Sequence, residues 1–106
     1  GTHWKGYFDH DSGLASNFIN NIRTYGYTVF VCSDQGLSSS NGKSWDTYKK
    51  NDNSTAGKAI LTTGTEKKEI VQSPSISHNF IIGVDTDGEK LWVATSQGVS
   101  CGELMK

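Results

Sequence analysis

Residues 17–38 and 79–100 of this chain align without a gap at an offset of 62, reading NFINNIRTYGYTVFVCSDQGLS and NFIIGVDTDGEKLWVATSQGVS. Nine of the 22 positions are identical: Asn17/Asn79, Phe18/Phe80, Ile19/Ile81, Thr24/Thr86, Gly26/Gly88, Val31/Val93, Gln35/Gln97, Gly36/Gly98 and Ser38/Ser100. Ile22/Val84, Val29/Leu91, Phe30/Trp92 and Leu37/Val99 are like for like. An internal repeat of this strength constrains the fold more than any single motif, because each copy must build the same supersecondary unit.

A second pairing runs at a shorter spacing: Trp4-Lys5-Gly6-Tyr7 matches Trp45-Asp46-Thr47-Tyr48 at an offset of 41. The two offsets differ by 21 residues, which places an insertion between Tyr48 and Asn79. Without it the repeat is 41 residues, a length typical of a four-stranded propeller blade. The insertion opens at Asn53-Ser54-Thr55-Ala56-Gly57. Ala59-Ile60-Leu61 and Glu69-Ile70-Val71 flank Thr62-Thr63-Gly64-Thr65, which predicts a hairpin inside it.

Each copy reads as an antiparallel meander. First strands are predicted over 18–23 and 80–85, with Phe18 and Phe80 on the apolar face. Second strands over 28–33 and 90–95 are dense in β-branched and aromatic residues, which predicts burial on both faces. Tyr25-Gly26 and Asp87-Gly88 turn the chain between them, the second predicting a two-residue hairpin, and Gln35-Gly36 and Gln97-Gly98 lead into third strands. Asn41-Gly42 predicts a two-residue I′ hairpin into a fourth strand over 44–49. The second copy ends after its third strand, and residues 2–8 match a fourth strand. The expected fold class is therefore all-β: two four-stranded antiparallel propeller blades, part of a larger or oligomeric propeller. The division runs 1–52 for the first blade with an N-terminal closing strand, 53–76 for the insertion, and 77–106 for the three-stranded second blade.

Ten Lys and Arg against eleven Asp and Glu leave a net charge of -1, with the signs interspersed. This excludes the basic face of a nucleic-acid binder and the polybasic patch of a membrane binder. No apolar run approaches the roughly 20 residues of a spanning helix, so membrane insertion is not expected. The sequence opens at Gly1 with neither an initiator Met nor a signal-like stretch, as a processed, tagged or excised product would. Cys32 and Cys101 are too few for a disulfide-built scaffold or a cysteine zinc site. They read as two small, partly buried thiols, or as one bridge in an oxidising compartment. Asn53-Ser54-Thr55 fits a glycosylation acceptor and predicts a surface loop.

Three stretches carry a family resemblance. They are Gly13-Leu14-Ala15-Ser16-Asn17-Phe18-Ile19, then Val29-Phe30-Val31-Cys32-Ser33-Asp34-Gln35-Gly36-Leu37-Ser38, then Asn41-Gly42-Lys43-Ser44-Trp45. Together they resemble the two-component-regulator propeller repeat, and the second copy matches at Ser77-His78-Asn79 and from Leu91 to Val99. The resemblance implies a propeller used for sensing or interaction, periplasmic or extracellular, with no catalytic set attached to the repeat. The run from Ser38 to Trp45 is also similar to the Asp-box hairpin of sialidase-like propellers, with Ser40 where the box has its Asp. That box is a structural turn and implies no glycosidase.

Trp45 and Trp92 sit on predicted strands among apolar neighbours and are expected to pack between blades, with Trp4 doing the same. Asp85-Thr86-Asp87-Gly88-Glu89 is rich in oxygen ligands, yet it fills a hairpin position and lacks the remaining positions of a calcium loop. His3, His10 and His78 are scattered without metal-ligand spacing, so no metal or cofactor is expected. Serines abound without a nucleophile elbow, and no Gly-rich loop precedes a helix, so no catalytic residue is assigned and the chain is expected not to be an enzyme. In propeller geometry a ligand would meet the loops around the central channel. These are the connections holding His10, Asp11 and His78, and the turns holding Asp34, Gln35, Ser96 and Gln97. The expected function is a non-enzymatic module that binds or senses a small molecule or a protein; the alternative is a self-assembling subunit forming a ring or fibre. Either way its expected partners are copies of itself or the rest of a longer propeller chain.

Overall fold

The computed structural model describes residues 3–104, and within them the chain is all-β and antiparallel, with no helix. A six-stranded sheet runs β1 (Ile19–Tyr25), β2 (Thr28–Ser33), β3 (Gly36–Ser40), β4 (Ser44–Lys50), β5 (Gly57–Thr63) and β6 (Glu66–Gln72), each strand beside the next. A three-stranded sheet follows in the same manner: β7 (Ile81–Thr86), β8 (Lys90–Thr95) and β9 (Gly98–Glu103). Neither sheet closes on itself.

The repeat is reproduced hydrogen bond by hydrogen bond. The Ser33 hydroxyl donates to the Gly36 carbonyl at 2.7 Å, and Thr95 does the same to Gly98 at 2.8 Å. Ser38 Oγ accepts the Ala15 amide, and Ser100 Oγ accepts that of Ser77, both at 2.8 Å. Each first strand pairs its second with one register shift at the same place, between Ile19 and Asn21 and between Ile81 and Gly83.

The insertion does not form a unit of its own. Its hairpin pairs along β4 from Ser44↔Thr63 to Lys50↔Gly57 and widens the first sheet to six strands instead of four. The outer backbone edge of β4 needs hydrogen-bond partners, and the nearest strand-forming residues in the chain supply them. Its entry loop, including Asn53-Ser54-Thr55, is exposed.

The turns also depart from expectation. A two-residue I′ turn needs positive φ at both central residues, but only the glycines of Asn41-Gly42 and Asp87-Gly88 have it, at 95° and 94°. Both turns are longer, and the Asx side chain organises them. Asn41 Oδ1 accepts the amides of Lys43 and Ser44, and Asp87 Oδ1 those of Glu89 and Lys90. These bonds hold the exposed Asp87 carboxyl below its usual range, the Lys90 and then the Glu89 amide contributing most. Ser40 and Thr86 brace the turns identically, accepting the amide of Gly42 or Gly88 and donating to the carbonyl of Ser44 or Lys90.

The two sheets pack face to face. Phe30, Cys32 and Leu37 of the first meet Ile81, Leu91 and Val93 of the second, with Tyr48, Ile76, Val84 and Leu104 around them. Burial pushes the Cys32 thiol up to about 11; it is free, as is the exposed Cys101. β1 runs beside β7, and residues at equivalent repeat positions touch: Arg23 Nη2 lies 2.9 Å from Asp85 Oδ1.

Several burial expectations fail for one reason, the absence of a second packed face. β8 alternates exposed and buried instead of being covered on both sides. Trp92 is half exposed, and Phe18 and Phe80 are exposed at 73% and 41%; in the second copy Ile81, the residue after Phe80, is the one in the core. Trp45 is half-buried, with its ring centroid 5.6 Å from that of Tyr7. The strand expected over 2–8 does not form: Thr2 lies outside the described residues, and residues 3–8 are irregular. Trp4 is 91% exposed. The segment is exposed throughout and touches the first sheet through the Tyr7 ring beside Trp45, with no strand edge alongside, and without an edge a strand has nothing to pair with.

Candidate binding site at the loop end of the sheets

At one end of the sheets three loops converge on a polar cleft of about 560 Å³, lined by Asp34, Gln35, Lys50, Asn51, Asp52, Asn53, His78 and Asn79. Each loop is set by local chemistry. The turn carrying Asp34 and Gln35 is fixed by Ser33, whose hydroxyl accepts the Gln35 amide at 3.3 Å. Asp34 is pinned twice: its amide donates to the Phe18 carbonyl at 3.3 Å, and its carboxylate accepts the Ser16 hydroxyl at 2.8 Å. Asn53 adopts φ of 56°, a left-handed conformation that asparagine tolerates better than most residues.

Asn79 joins the sheets. Its Oδ1 accepts the Lys50 amide at 2.7 Å and its Nδ2 donates to the Lys50 carbonyl at 2.9 Å, as a strand neighbour would. His78 Nδ1 accepts the Phe80 amide at 3.0 Å and lies 3.2 Å from the Ser96 hydroxyl. Both neighbours can donate, so the neutral ring keeps its proton on Nε2 as a donor. The cleft thus offers carboxylate acceptors, carboxamide and imidazole donors, and one ammonium group. That mixture suits a hydrogen-bonding ligand with little net charge.

Of the residues singled out from sequence, Asp34, Gln35 and His78 line this cleft, and Ser96 stands behind His78. His10, Asp11 and Gln97 do not line it. His10 stacks on Phe8 with ring centroids 5.6 Å apart, between Asp9 and Asp11. Gln97 is exposed and gives its amide to the Thr95 hydroxyl. Lys50, Asn51, Asp52, Asn53 and Asn79 were not anticipated. Asn79 had a signal in its identity with Asn17, and Asn51 and Asp52 had one at the offset of 41, where they are the equivalents of His10 and Asp11; Asn53 opens the insertion, where the repeat gives no guide.

A second, apolar cleft of about 720 Å³ opens between the outer parts of the sheets, with Asp46 and Tyr48 facing Leu91, Cys101 and Leu104. Burial raises the Asp46 carboxyl above its ordinary 3.8, and burial together with the Asp46 charge raises Tyr48. A carboxyl raised in the fold favours the folded state when protonated; its ionised form costs stability above the folded pKa, and that cost vanishes below the unfolded one. Asp46→Asn is therefore expected to melt above wild type at pH 7, with the gap closing as the pH falls past 3.8. Thermal melts across that range check it, and a gap that widens in acid would contradict the assignment.

No family model, curated protein or solved structure matches the chain.

Proposed function

We propose that the two sheets are neighbouring blades of a β-propeller of the two-component-regulator type, and that the chain is a non-enzymatic module binding a small polar ligand in the cleft of Asp34, Gln35 and His78. The observation that supports it most is the relation of the sheets. Arg23 and Asp85, one repeat apart, meet side by side where β1 approaches β7, as innermost strands do around a common axis. The turn after the second strand and the connection into the next first strand then fall at one end, where they form the cleft. Its volume of about 560 Å³ lies within the range of small-molecule sites. A periplasmic or extracellular setting follows from the same resemblance.

Amide chemical-shift titration with a panel of neutral saccharides and amino acids tests this reading. Shifts are expected at Asp34, Gln35, Asn53 and His78 and not at the far turns. Asp34→Ala and His78→Ala should each weaken binding about tenfold, the scale of one lost hydrogen bond to a charged or well-aligned partner. A panel that shifts nothing, or shifts only the turns of Asn41 and Asp87, would count against the site.

A further inference from the structure

We infer that the chain associates head to tail with a second copy of itself by repeating, between molecules, the contact that its two sheets make within one. The inference rests on reading the sheets as neighbouring blades. The contact joins unlike faces of equivalent strands, so each half recurs elsewhere in the molecule. Phe30 and Leu37 of the first sheet are buried in it to 4% and 1% exposure; their equivalents on the second sheet, Trp92 and Val99, are 50% and 63% exposed. Conversely Ile81 is fully buried in the contact and Val84 lies beside it, while their equivalents Ile19 and Ile22 are 41% and 57% exposed; Val31, the equivalent of Val93, is already covered within the chain. Two unlike surfaces that fit each other, one open on the second sheet and one open on the first along β1, define a heterologous interface that propagates from copy to copy. Charge agrees: the Arg23–Asp85 pair would recur, with Asp85 of one copy meeting Arg23 of the next.

The strand edges give the register. β3 pairs β4 through Leu37↔Tyr48, Ser38↔Thr47, Ser39↔Asp46 and Ser40↔Trp45. Carrying β3 forward by 62 residues and β4 back by 41 sets Val99 opposite Tyr7, Ser100 opposite Gly6, Cys101 opposite Lys5 and Gly102 opposite Trp4. Among the described residues the outer edge of β9 has no strand beside it. The segment that would cover it is irregular in the single chain, but its end is anchored at Asp9 as β4 is at Lys50. Asn17 Oδ1 accepts the Asp9 amide at 2.8 Å, as Asn79 accepts that of Lys50 at 2.7 Å, and Asp9 and Lys50 are 41 residues apart. The same register puts His3 opposite Glu103 with Lys5 diagonal to it, a basic pair against an acid. Successive copies then close a ring or continue as a filament, as the rotation per copy dictates.

Lys5→Cys tests the register against the natural Cys101. Oxidation, or a short bis-maleimide, should join position 5 of one chain to Cys101 of another. The product should be a ladder of multiples of 11.5 kDa that disappears in Lys5→Cys/Cys101→Ser. Trp92→Glu, at a site exposed in the single chain, should leave the circular dichroism unchanged and reduce the light-scattering mass to that of one chain. The inference is overturned if the wild-type chain is monomeric at about 50 µM, if Trp92→Glu leaves an assembly intact, or if the link forms within one chain. A monomer that still takes a saccharide or amino acid into the polar cleft would overturn the association and leave the binding reading standing.

Discussion

Replacing Ile81 by alanine is expected to cost about 2–5 kcal/mol, while the same replacement at Ile19, its partner in the repeat, should cost less than about 1 kcal/mol. The two isoleucines follow the same Asn-Phe pair and precede the same register shift. Only their surroundings differ: Ile81 is fully buried between the sheets and Ile19 is 41% exposed. Truncating a side chain in a packed interior loses its transfer energy and leaves a cavity, whereas at a half-exposed site water fills the gap. A domain of this size has about 5–15 kcal/mol in all, so Ile81→Ala should move the urea midpoint far enough to populate unfolded chain at room temperature. Measuring both variants in the Trp92→Glu background keeps association out of the comparison. Equal losses at the two sites would mean that the sheets do not pack as described.

The second large effect is at Gly36. Its φ is +130°, and a Cβ built on it would stand 2.6 Å from the Tyr48 carbonyl oxygen. Gly36→Val therefore forces a β-branched residue into a forbidden conformation and into the backbone of β4 at once, for about 3–5 kcal/mol in total. Gly98 holds the equivalent turn with φ of +108°, but a Cβ there meets nothing nearer than Ser77 Oγ at 3.9 Å. Gly98→Val carries the backbone cost alone, about 1–3 kcal/mol. Denaturant midpoints rank the two, and a Gly98 variant as damaged as the Gly36 variant would show that packing around Gly36 adds nothing.

These pairs show where sequence reasoning holds. The second strands were readable at their true bounds, Thr28–Ser33 and Lys90–Thr95, because β-branched and aromatic runs stop at glycine turns in both copies. The hairpin of the insertion was readable from the apolar runs flanking Thr62-Thr63-Gly64-Thr65, although not its pairing with β4. In the candidate site, Asp34, Gln35 and His78 were legible because the repeat marks their turns. Asn53 was not, since the insertion begins there and has no counterpart in the other copy, while Asn51 and Asp52 could have been found as the equivalents of His10 and Asp11 at the offset of 41.

By itself, then, the sequence determined β1 to β9, their order and the places of the turns between them, all of which depend on residues within a few positions of one another. Which face of each strand is buried was decided only by the tertiary structure. Phe30 and Trp92 share a repeat position and a strand context, yet one is 4% and the other 50% exposed. Local sequence specifies that a side chain is apolar and which face of the sheet it occupies. Burial requires a second surface against that face, and the first sheet has one where the second sheet has none. The segment over residues 3–8 makes the same point for hydrogen bonds. It repeats the residues of β4, but strand pairing depends on an edge, and none lies beside it in the folded chain.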